Sequence, residues 1–426
     1  MNTRQTTHRA RRRLLALGAL AGTAALTLAG CATTSGPGES TAPETSSAED
    51  HDHDHEHSES LESVVLTYDG GIYVLDAETL EVRADIPLEG FNRINPVGDG
   101  RYVLVSTEGG FRVLDTGEAH GDHLHDPELT DFTFAATTPG HVVHHADTTV
   151  LYDDGTGDIT IFPTDSLAEA IEIDNDLPET TTVTSPEAHH GVAIQLEDGT
   201  VLSTVGNSES RSGVRLTDTA GTELAVSDEC PSVHGEGTLS DETALFGCSD
   251  GVLVFSDGAF TKLQSPDEYG RTGNQYISAN SPIAVGDYNS DPDSEGYLLS
   301  KLVTVDTRSN SLEVLELPAG IEYTWRDVAR GPDGEILVLG TDGALHVFDA
   351  ESRELQESFD VIAAWEGPAQ WQDAHPAISV IDGTAFITEP ANNSVHAVDI
   401  ETGEILASAS LDAAPNEINT IAAHDH

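Results

Sequence analysis

Along most of this chain apolar residues come in short runs of strand length, each closed by an Asp-Gly, Gly-Gly or similar polar turn. From Leu61 onward one unit recurs: a glycine turn, an apolar strand often ending in Val-Asp or Phe-Asp, a polar turn, then a second strand. It reads GGIYVLDAETLEVRADIPL from Gly70, GGFRVLDTGE from Gly109, GDITIFPTDSLAEAIEI from Gly157 and SGVRLTDTAGTELAV from Ser212. It continues as DGVLVFSDGAFTKL from Asp250, SKLVTVDTRSNSLEVLEL from Ser300, DGALHVFDAESRELQESF from Asp342 and NNSVHAVDIETGEILASASL from Asn392. Copies about 40–55 residues apart have the period of a four-stranded propeller blade. The pattern therefore predicts an all-β chain, a β-propeller over residues 61–426 with eight four-stranded blades, seven being the alternative. The chain enters on SVVLTYDG, a second strand with no inner strand before it, and a spare inner strand, NEINTIAAH, lies at the far end. That C-terminal strand is expected to complete the first blade and close the ring, which removes the exposed edges of an open sheet.

The first sixty residues lack this pattern. RARRRLLALGALAGTAALTLAGC has a basic stretch (Arg9, Arg11, Arg12, Arg13), an apolar run from Leu14 to Leu28, and small residues before Cys31. The run is short for a membrane span, and its order resembles the lipobox of bacterial lipoproteins. Residues 1–30 are read as a lipoprotein signal peptide with Cys31 the lipidated residue; an ordinary signal peptide is the plainer alternative. The arginines leave Sec and twin-arginine export both open. Residues 31–60 are rich in Ser, Thr, Pro and Glu, the composition of a flexible tether.

Charge narrows the function. With 18 Lys+Arg against 75 Asp+Glu, the formal net charge is −57, which argues against nucleic acid as a partner. It suits a solvated extracytoplasmic protein, or one that meets cations or basic partners; the chain is expected to be a monomer. Beyond Cys31 the cysteines are Cys230 and Cys248, an even pair expected to form a disulfide in an exported protein. Two thiolate metal ligands are the alternative, but no C-x-x-C spacing supports them.

Histidines carry the candidate chemistry. EDHDHDHEHSES places His51, His53, His55 and His57 at every second position among acids, in a stretch too polar to fold. Neutral imidazole suits Zn²⁺, Cu²⁺ and Ni²⁺, and several in a flexible run can wrap an ion without a prebuilt site. The plain alternative is a solvated polar tract. Four further groups share one repeat phase, the entry to an innermost strand: His120, His123 and His125; His189 and His190; His234; and His375. Entry loops ring one mouth of a propeller channel, so His120, His123, His125, His190, His234 and His375 are expected to converge there as a metal site. The first three groups serve the third to fifth blades in this register. His141, His144 and His145 fall on a middle strand and read as structural or peripheral, while His424 and His426 form a loose terminal pair. Glu236, Asp327 and Asp373 near the mouth are candidate acids or bases, and Trp325 and Trp371 read as packing. No G-x-S-x-G, H-E-x-x-H or P-loop motif occurs.

An exported propeller preceded by an acidic His-x-His tract, with CPSVHGEG, HHGVAI and GCSDGVLVF, resembles the periplasmic zinc metallochaperones encoded beside certain zinc ABC importers (AztD type). The resemblance covers the propeller and the His-rich tract but not the lipid anchor. It implies a protein that is not an enzyme, carries Zn²⁺ and hands it directly to the importer's solute-binding protein, with the tract as mobile site and the mouth histidines as the tighter one. Lipidation would tether this chain to the cell membrane. Two other classes stay open at this stage: a metal-dependent propeller hydrolase or lactonase, and a cell-surface scaffold propeller.

Overall fold

A computed structural model describes residues 58–120, 123–294 and 297–423. The signal peptide, Cys31, His51, His53, His55, His57, His424 and His426 lie outside the described residues. Eight four-stranded antiparallel sheets follow one another around a ring, as the repeat predicts. In the first blade, Ser63–Tyr68 and Gly71–Asp76 are buried almost throughout, whereas the outermost strand Val82–Pro87 is largely exposed. Central strands pack against neighbouring blades on both faces, so they read as unbroken apolar runs; outer strands face water and alternate.

Closure is also as predicted. Ile418–Ile421 pairs antiparallel with Ser63–Leu66 and supplies the innermost strand of the first blade. The backbone N–H of Asn416 donates to Thr67 O at 2.7 Å, and that of Glu417 to Thr67 Oγ1 at 3.0 Å, locking the junction. Among the described residues no helix is long and apolar enough to cross a membrane.

The register of one segment differs from expectation. Glu128–Ala135, read as leading the third blade, is the outermost strand of the second. The third blade instead begins on Pro139–His145. The cause is an insertion between the third and fourth strands of blade two. There Glu118–His120 and His123–Leu124 form a small hairpin, which Ser58–Ser60 joins as a third strand. This extra unit shifts the repeat phase by one strand. Only Thr130 and Phe134 are buried in Glu128–Ala135, the alternating signature of an outer strand.

Candidate metal centre

The innermost strands and entry loops of blades three, four and five bring His141, His190 and His234 together. His141 lies on Pro139–His145, His190 in the loop before Ala193–Gln195, and His234 opens His234–Thr238. Two of the three stand at irregularities in the ladder. Pairing shifts register between Pro139 and Val142, and again between His234 and Glu236. Such bulges re-aim a side chain at the rim of a sheet. At the second, Gly235 has φ +66°, and a Cβ there would lie 2.3 Å from Gly273 O. Gly191, after His190, is equally constrained, since a Cβ would lie 2.3 Å from the Tyr152 ring.

Each imidazole is held from behind through Nδ1. His141 Nδ1 lies 2.8 Å from Gly191 O, His234 Nδ1 lies 2.7 Å from Gly273 O, and His190 Nδ1 lies 2.6 Å from Asp154 Oδ2. Carbonyl and carboxylate oxygens only accept, so each Nδ1 carries the proton and each Nε2 keeps its lone pair. This is the outer-shell arrangement that orients metal-binding histidines. The ligand atoms of all three lie within 4.8 Å of one another, and His190 Nε2 stands 3.3 Å from His234 Nε2. Tetrahedral zinc with Zn–N near 2.05 Å sets its ligand nitrogens about 3.3 Å apart. Burial, with the neighbouring His190 and His234, holds the His141 imidazole down at about 3; burial holds that of His234 at about 4. Both stay neutral and ready to ligate at any ordinary pH.

His190 and His234 thus meet as expected. His141 was missed because the shifted register made its strand a middle one. The insertion groups His120, His123 and His125 differently: they stand at blade two between its third and fourth strands, not on an entry loop, and His120 pairs in register with His123. His125 is exposed there. His375 does occupy the entry loop of blade eight, but it does not join the triad; it is buried, with Nδ1 2.7 Å from Asp373 O. His189 is a satisfied core residue, bonded to Thr204 Oγ1 and Glu187 O. His145 pairs with Glu242 at 2.5 Å.

Of the candidate acids, Glu236 lies in the channel, its carboxyl pushed up to about 7 by burial, and Asp327 is pushed up to about 8 by burial. Asp373 accepts from Gln370 N. Trp325 and Trp371 do more than pack. They line the cavity holding the triad, with the Arg93 guanidinium 5.6 and 5.7 Å from their ring centres. Cys230 and Cys248 form the expected disulfide, which joins the entry loop of His234 to the strand Ala244–Cys248 beside it.

Fold and site together define an eight-bladed propeller with a candidate three-histidine metal centre at one channel mouth. No family model matches the chain. It is similar to the zinc chaperone AztD of Citrobacter koseri, 23% identical over 337 residues that cover 72% of this chain and 74% of that protein. The structure of apo AztD from Citrobacter koseri superposes with a TM-score of 0.73 at 19% identity, covering 86% of this chain and all of that one. A second crystal structure of Citrobacter koseri AztD gives 0.72 at 19% identity, covering 87% and 99%. These likenesses establish the propeller fold.

Proposed function

We propose that this chain is an extracytoplasmic zinc metallochaperone that captures the ion and passes it to the solute-binding protein of a zinc ABC importer. The observation that carries the reading is the convergence of three imidazoles whose ligand atoms lie within 4.8 Å of one another, two Nε2 atoms 3.3 Å apart, each ring fixed from behind by an oxygen acceptor. Similarity to a zinc chaperone supports the same cargo. Zinc is here a passenger, so no bond chemistry is required. Three protein ligands leave one coordination position open, through which an incoming ligand can begin exchange. The tract His51–His57 would collect zinc and feed the triad. The strand that leaves the tract pairs at the blade-two hairpin, with Ser58 opposite His120. Cys31, lipidated, would hold the monomer at the membrane beside its importer.

The test uses the full chain with His51, His53, His55 and His57 replaced by Ser, titrated with zinc against a competing chelator. One tight site is expected. His234→Ala should weaken it by more than about 100-fold, since outer-shell partners alone are worth 10–100-fold. Transfer to a solute-binding protein should proceed with excess chelator present. Interception of the zinc by chelator, or indifference to His234→Ala, would overturn the reading.

A further inference from the structure

The surroundings of the triad are wrong for a bare cation. In a chain with only 18 Lys+Arg against 75 Asp+Glu, three arginines stand at this mouth: Arg93, Arg271 and Arg211, whose Nη1 donates to His190 O at 3.4 Å. Arg93 and Arg271 share with the triad the wall of one cavity of about 520 Å³.

Three acids nearby are committed elsewhere, and Glu236, which lines a cavity with His141 and Arg93, does not join the ligand set. Asp154 is taken up by His190 Nδ1 and Gly191 N. Asp287 accepts from Gly273 N, Asn274 N and Asn274 Nδ2. Glu417 is divided between Arg93 and Arg326, two cations on one carboxylate. The Arg271 guanidinium makes no hydrogen bond or ion pair among the described residues, although Asp287 is within its electrostatic reach. Among those residues, too, the ligand set holds three histidines and no carboxylate.

From this we infer that the fourth ligand of the bound zinc is a carboxylate from outside the chain, clamped by Arg271 and Arg93; the inference rests on the zinc reading above. Zinc accepts a carboxylate oxygen readily. A guanidinium fork matches the geometry of that same group, and Arg93 stands over the rings of Trp325 and Trp371. One anion therefore satisfies the open metal position and the excess positive charge together. A cavity of this size has room for a ligand as large as citrate. The carboxylate can arrive on a small organic acid already bound to zinc, or on an Asp or Glu side chain of a docking protein. In the second case the anion would also be the group that starts zinc release.

The experiment uses the full chain with the four tract histidines replaced by Ser, loaded with one equivalent of Co²⁺ to read the coordination shell, or titrated with Zn²⁺ for affinity. Acetate, citrate and a blocked Gly-Glu-Gly peptide are added separately. A saturable change in the cobalt visible bands is expected, with zinc affinity rising about tenfold when the carboxylate stands at ten times its own Kd. Arg271→Gln should bind zinc more tightly than wild type in carboxylate-free buffer, because a repelling charge is gone, and should lose most of the gain. Response to acetate or citrate identifies a free acid as the source; response to the peptide alone identifies a partner's side chain. Spectra and affinity that ignore all three, with His234 still required for zinc, make water the fourth ligand and overturn this inference while leaving the chaperone reading intact. Zinc binding indifferent to His234→Ala would instead overturn the chaperone reading.

Discussion

At the scale of single residues, the centre depends as much on what stands behind each imidazole as on the imidazoles. Asp154 is the clearest case. Its Oδ2 fixes His190 Nδ1 and its Oδ1 accepts from Gly191 N at 3.2 Å, so one carboxylate sets both the tautomer and the backbone of the entry loop. The His190 side chain is 46% exposed, and packing alone does not fix it. Asp154→Asn keeps the shape and removes the charge. It should lower zinc affinity by about 10–100-fold while leaving the melting temperature within a degree or two, as chelator competition and thermal unfolding would show. His190 and His234 were legible because each ends an entry loop just before a glycine, in HHG and VHG. Asp154 was not, since it lies 36 positions from His190 in a chain crowded with acids.

At the scale of elements, a strand's place in its blade decides whether its histidines meet. Pro139–His145 carries three histidines with three fates: His141 faces the triad, His145 pairs with Glu242, and His144 packs over Gly98. The eight-unit repeat was readable because central strands are buried on both faces and therefore continuous in apolar residues. The blade-two insertion was not, because its short strands carry no apolar period. That one element displaced the register by a strand, which hid His141 and promoted His120, His123 and His125. The disulfide works at this same scale. It closes a separation of 18 residues around the turn that presents His234. Replacing Cys230 and Cys248 together by Ser should cost about 3 kcal/mol, read by urea unfolding. Zinc affinity should fall as well, because the His234 loop gains freedom that binding must remove.

At the scale of the molecule, the packed propeller holds several carboxyls away from water. Asp327, pushed up to about 8, closes the turn carrying Trp325 and Arg326; its Oδ2 accepts from Thr324 N, and its Oδ1 is buried without a hydrogen-bond partner among the described residues. Glu236 at about 7 and Asp99 at about 6 are shifted the same way by the same cause, burial. In each the folded chain holds its proton more tightly than the unfolded chain does. The stability this gives is complete below the ordinary carboxyl value near 4, and for Asp327 it is lost as pH rises through about 8. Carboxylates held low by hydrogen bonds, such as Asp153 and Asp306, act in the opposite sense and lose their contribution as pH falls. Wild-type stability alone therefore mixes two slopes. Comparing Asp327→Asn with wild type isolates one of them, because the amide has nearly the carboxyl's shape and cannot ionise. The variant should match wild type near pH 4, gain on it as pH rises to about 8 and level off above that, by on the order of a few kcal/mol in urea unfolding. A difference that stays flat across that range would mean that Asp327 ionises in the folded ring as readily as it does in water.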